Sequence, residues 1–209
     1  MWRSKLSHYV ISPKNTLWQR LTKKRLPTGY QLGLTLNKLE RDLSPYVCEW
    51  GAPGELLVHL QTDLTVQVTE QVKTLFLAFI SSSCFSIQGH CSHHLYAHIK
   101  VKTRGNFRKK QVHFVSKELD GKSLIKILDN YPIIKQTFEE LDFNYCHMKI
   151  ENGIWRCDIE PFTASEMVSR IPATRRYLRL TVEQRHRLLS ALQLIHQFMH
   201  KHISIYLIR

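Results

Sequence analysis

The densest cluster of residues able to bind a metal lies between 90 and 98, where His90-Cys91-Ser92-His93-His94 is followed by His98. Imidazole and thiolate suit zinc, but a closed site takes four ligands at defined spacing with a supporting shell. The spacing here is irregular, so the run reads as a polar loop, and neither a metal nor another cofactor is expected. His196 and His200 stand four apart with His202 nearby, close enough on a helix to chelate. Beside an apolar stripe the same pair reads as a solvated flank. Asp158 and Glu160 share one side of a strand with Arg156, while Trp155, Cys157 and Ile159 point to the other. Paired carboxylates suit acid-base catalysis, yet a charged face opposite an apolar one is what any half-exposed strand needs. No glycine-rich phosphate loop, G-x-S-x-G, H-E-x-x-H or H-x-E with C-x-x-C occurs. The familiar enzyme templates are excluded, and whether the chain is an enzyme stays open.

Anion binding is better supplied. The stretch from Glu160 to Leu180 combines Thr163-Ala164-Ser165-Glu166, which fits the capping box of a helix start, with Arg170, Arg175, Arg176, Tyr177 and Arg179. Free N–H groups at a helix N-terminus beside guanidinium forks would hold phosphate or carboxylate. The net charge is +13, and it is unevenly placed. Met1 to Leu39 carries eight bases, Lys23, Lys24 and Arg25 among them, and no acid. Lys100, Lys102, Arg104, Arg108, Lys109 and Lys110 form a second acid-free run, and Arg170 to Arg187 holds a third group with Glu183 as its single acid. Three basic patches on a near-neutral body point to a polyanion, nucleic acid first. Tyr96, Phe107 and Trp18 are interleaved where bases would stack. No ribonucleoprotein motif, zinc finger or helix-turn-helix is present, so such binding would rest on electrostatics. The plain competing expectation is a basic domain kept soluble by its charge.

The elements that must position these residues follow from periodicity. Leu32, Leu36, Leu39 and Leu43 recur at helical spacing, predicting a helix over about 30–43 that Ser44-Pro45 ends. Residues 56–60 and 64–68 alternate as paired strands. The apolar run Leu75 to Ile87 is open to either reading, leaning to helix in its first half. Leu95 to Val101 and Val112 to Val115 form a hairpin with a cationic face, followed by short helices at 122–128 and 133–141. Asn152-Gly153 predicts a type I′ turn within a hairpin from Tyr145 to Glu160. Thr181-Val182-Glu183-Gln184 is a second capping box, opening a helix to about His202 whose stripe is Leu188, Leu192, Ile195 and Met199. The sum is an α+β fold, an antiparallel sheet of about five to seven strands packed against a long C-terminal helix, with a basic helical N-terminal arm. The division expected is an arm over 1–29 and one domain over 30–209.

The stretch from Glu160 to Leu180, with Leu26-Pro-Thr-Gly-Tyr30, resembles a bacterial family of uncharacterised conserved domains of about this length. That resemblance implies a bacterial, single-domain, cytoplasmic protein, and no catalytic residue follows from it. The residues agree on the compartment. The longest apolar run, Leu75 to Ile80, is far short of the roughly 20 residues that cross a bilayer. Lysines and arginines interrupt every candidate signal segment. The five cysteines are an odd number without C-x-x-C spacing, as expected of reduced, mostly buried thiols. Three readings are carried forward. The first is a noncatalytic polyanion-binding protein. The second is an enzyme or small-ligand protein with a pocket between sheet and helices, where Arg175, Arg176 and Arg179 hold an anionic substrate; their convergence with His113, His147 or Asp158 would favour it. The third is an interaction module that dimerises through the last helix or meets a membrane surface through Leu6 to Leu21.

Overall fold

The computed structural model describes residues 26–91, 94–105 and 110–203. The chain divides into two units, Met1–Tyr30 and Gln31–Arg209, and the architecture below belongs to the second. Residues 1–25 of the expected arm, with Lys23, Lys24 and Arg25, fall outside the described residues, as do Arg108, Lys109, Ser92 and His93.

In chain order the elements are α1 (Leu34–Leu43), β1 (Val47–Trp50), β2 (Glu55–Gln61), β3 (Leu64–Thr74), β4 (Ala78–His90), β5 (Ala97–Arg104) and β6 (Gln111–Ser116). They continue with α2 (Leu119–Leu128), α3 (Pro132–Glu140), β7 (Phe143–Glu151), β8 (Ile154–Pro161), β9 (Ser165–Arg170), β10 (Ala173–Leu178) and α4 (Val182–His202). The expected class holds: α+β, with a large antiparallel sheet and a long last helix. The described sheet has ten strands where five to seven were expected, in the order β1-β2-β3-β4-β8-β7-β5-β6 with β9 and β10 to one side.

Three expectations are corrected, and two of them supply β4 and β9. The run from Leu75 is no helix: from Ala78 it forms β4, 13 residues long. Phe79, Ser81, Phe85 and Ile87 lie on one face, and Ile80, Ser82, Cys84 and Ser86 on the other. Its middle is buried on both faces, so the period of two is masked by unbroken burial. The Thr163-Glu166 box starts no helix either. Ala164 sits at φ 55, in the left-handed region, and Ser165 and Glu166 open β9 instead. Helix α1 begins at Leu34, after Gly33 at φ 82, rather than near residue 30.

Strand β4 organises the sheet. Its second half pairs with β8, from Phe85 against Ile159 to His90 against Ile154, and its first half pairs with β9, from Ala78 against Ser169 to Ser82 against Ser165. So β8 and β9 lie end to end along one strand. Beyond them β7 pairs with β8 and β10 with β9, and the sheet forks. The β7–β8 turn has Asn152 and Gly153 at φ 54 and 77, as a type I′ turn requires.

Helices α1 to α4 pack on one face of this sheet. Helix α4 lies on β4 and β8, α2 on β5 and β6, and α1 on β2 and β4. The core they close holds Val66, Val68, Phe85, Ile99, Met148 and Trp155 from the strands and Leu188, Leu192, Ile195 and Met199 from α4, all essentially inaccessible. The stripe of α4 is thereby committed to the core. Trp155 lies over Gly89 so closely that a Cβ there would stand 2.7 Å from the indole. No helix among the described residues is long and apolar enough to cross a membrane.

Candidate anion-binding face

The opposite face of the sheet carries no helix among the described residues. The register reads directly across it: Val115 opposes Lys100, Lys100 opposes His147, His147 opposes Asp158, Asp158 opposes Ser86, and Ser86 opposes Gln67. The neighbouring row runs His98, Lys149, Arg156, Gln88. Alternation along β5 puts Lys102 and Arg104 on this face as well, both exposed, with His113 of β6 opposite Lys102. The cationic hairpin face expected from sequence is therefore widened by Lys149 of β7. Sequence reading passed over Lys149, although the period of two in β7 places it beside His147.

The floor of this face is a hydrogen-bonded cluster. Ser86 Oγ donates to Asp158 at 2.6 Å, Arg156 Nε donates to the same carboxylate oxygen at 2.7 Å, and Arg156 also reaches Ser86 Oγ at 3.0 Å. Arg156 and Asp158 thereby cancel each other's charge, so the pair neither opposes nor attracts an incoming anion. Tyr145 hydroxyl donates to Cys84 Sγ at 3.3 Å and accepts from Gln71 at 3.2 Å. The His147 ring lies 5.0 Å from Tyr145 and 5.3 Å from His98. Burial pushes the Cys84 thiol up, against the hydrogen bond from Tyr145, and burial with the Cys84 contact pushes the Tyr145 phenol up. Burial lowers His98 and His147; the charges of Lys100 and Lys149 add to both, and His98 adds to His147. Thiol, phenol and imidazoles are all neutral near pH 7, and the cluster holds no activated nucleophile.

The remaining expected cations part company. Lys110 reaches Leu141 carbonyl and Asp142 and lies over Phe143, so it ties β6 to the start of β7. Arg179 pairs with Asp42 at 2.7 Å, and that buried carboxylate also accepts from Tyr177 hydroxyl at 2.9 Å and Leu180 N–H at 3.0 Å. Arg185, itself buried, donates to the carbonyls of Asp42 and Ser44. These arginines fasten α1, β10 and α4 together. Arg175 lies 3.9 Å from buried Glu166, which Lys38 also pairs with. Arg170 and Arg176 are exposed, and Arg176 opposes Met167, which opposes Ile80 of β4. Ile80 and Ser86 are six residues apart on β4, roughly 20 Å of strand. Arg175, Arg176 and Arg179 therefore do not converge with His113, His147 or Asp158, the arrangement that would have favoured an anionic-substrate pocket.

Between Arg176 and the cationic rows, the fork leaves a cleft of about 550 Å3 lined by Gln71, Ser82, Tyr145, Glu160, Ser165 and Leu178 among others. Among the described residues no three metal-ligating side chains gather. His196 is corrected: it is buried, its ring 6.0 Å from Trp155 and 4.5 Å from His200, rather than part of a solvated flank.

A family model matches residues 41–199, and its description is protein of unknown function (DUF3156). No curated protein and no solved structure matches the chain.

Proposed function

We propose that this chain, which belongs to the DUF3156 family, is a noncatalytic binding protein that takes a polyanion, nucleic acid first, across the helix-free face of its sheet. In this reading residues 1–29 are a basic arm and 30–209 a single domain. The observation that carries it is the cross-strand register that sets Lys149 of β7 diagonal to Lys100 of β5, with Lys102 next along the same face and the paired Arg156 and Asp158 of β8 adding no net charge. Neighbouring strands are about 4.8 Å apart and successive residues on one face about 7 Å apart, so these cations form a patch that one extended strand can track. Tyr96, 59% exposed just before β5, is a surface on which a base can stack. The raised thiol and phenol favour binding over catalysis, since neither ionises near neutral pH.

The test is affinity for a single-stranded oligonucleotide across a salt series. Three phosphates neutralised by Lys100, Lys102 and Lys149 give a log-log slope of about −2, and Lys100→Ala with Lys102→Ala should flatten it by roughly 1.4. Binding that ignores salt, or ignores these substitutions, overturns the reading. The cleft at the fork favours a second reading, a small polar ligand seated against Tyr145 and Ser165. Ligand protection that Ser165→Trp abolishes while oligonucleotide affinity stays unchanged would select it.

A further inference from the structure

The turn between β3 and β4 is Leu75-Phe76-Leu77, with Phe76 93% exposed and both leucines 40% exposed. Turns are ordinarily built from Gly, Asn, Asp, Pro and Ser, because those residues suit the backbone and water alike. The β9–β10 turn stands against this one: Arg170 N–H donates to Leu77 carbonyl at 2.8 Å, and Ile171 is 73% exposed. Two neighbouring hairpin tips thus present four large apolar side chains at one end of the sheet. Exposed Lys73, Arg170 and Arg176 flank them. No acid occurs from Gln71 to Ile80 or from Met167 to Val182. Glu166, which precedes the second of these stretches, is buried and paired with Lys38.

An apolar tip inside a cationic collar matches a membrane–water interface, where apolar groups enter the acyl boundary and Lys or Arg meets headgroup phosphates. A second copy of the chain is a poor match, since two such ends would bring like charges together. We infer that the paired tips form a membrane-docking point, with Leu75, Phe76, Leu77 and Ile171 inserted at the interface of an anionic bilayer and Lys73, Arg170 and Arg176 on its phosphates. This site is separate from the cationic rows of β5, β7 and β8.

Sedimentation of the full chain with vesicles decides it. Phosphatidylcholine vesicles containing phosphatidylglycerol should carry the protein down, and phosphatidylcholine alone should not. Phe76→Ser with Leu77→Ser should weaken that binding at least about tenfold. Its melting curve should stay close to the parent's, because Phe76 is almost fully exposed and Leu77 already partly so. Lys100→Ala with Lys102→Ala should keep vesicle binding while losing oligonucleotide affinity. In Phe76→Trp, the emission should shift to the blue with the anionic vesicles only. No sedimentation with those vesicles, sedimentation that survives the double serine substitution, or an unshifted tryptophan overturns the inference. A dimer seen by light scattering that the serine substitutions abolish overturns it in favour of a second copy.

Discussion

At residue scale the firmest prediction concerns Asp42, whose carboxylate accepts from Tyr177, Arg179 and Leu180 at once. Asp42→Ala leaves a half-buried phenol and a buried amide unpaired, each costing about 1–3 kcal/mol. A drop of about 3 kcal/mol in urea unfolding is expected, with the slope unchanged. Gly89→Ala tests the other close approach: the added methyl meets the rigid, fully buried indole of Trp155 and should cost about 2 kcal/mol. His98 and His147 supply a pH dependence of binding. Their pKa values lie below the usual 6.5 in the free protein, and a bound polyanion would raise them, so complex formation takes up protons. Oligonucleotide affinity should rise as pH falls from about 7.5 to about 6. His98→Gln with His147→Gln should flatten that rise, as measured by titration at fixed salt.

At the scale of elements, α4 was legible because its start is chemically specific. Thr181 Oγ1 accepts from Gln184 N–H, and the Gln184 side-chain oxygen accepts from Thr181 N–H. Thr181→Ala should cost about 1 kcal/mol, lowering the melting temperature by roughly 3 °C. The same pattern at Thr163 misled because it sits where β8 must hand over to β9 along β4. The pairing of Ser82 with Ser165, and the buried acceptor Glu166 that Lys38 reaches, outweigh one cap. Local capping chemistry decides where a helix begins only if no strand partner competes for the same backbone groups. Strand β4 was illegible for a related reason: a strand shielded on both faces has no alternation to read.

At the scale of the whole molecule, stability should depend on pH through its imidazoles. His98, His147, His196 and His202 are all lowered, each mainly by burial. A lowered imidazole binds its proton in the unfolded chain first. Its contribution is fully present above about 6.5 and is lost as pH falls through the folded value. The melting temperature should therefore fall between pH 7 and pH 5.5, and His196→Phe should reduce the fall. Glu118 adds nothing in that window: the bond from Ser116 and those from backbone amides hold it at about 2.

The period of residues, the turn at Asn152-Gly153, the second capping box and the placement of charge were enough, read from the sequence, to establish an α+β class, the last helix and a cationic hairpin. Each of these is a local property, set within one turn of helix or one pair of strands. Which arginines face solvent and which tie α1 to α4 was settled only by tertiary structure, as were the fork in the sheet, the widening of the cationic face by Lys149, and the meeting of two apolar turns. All of these depend on strands far apart in the chain pairing in one register, and that register is selected by the core the strands bury together.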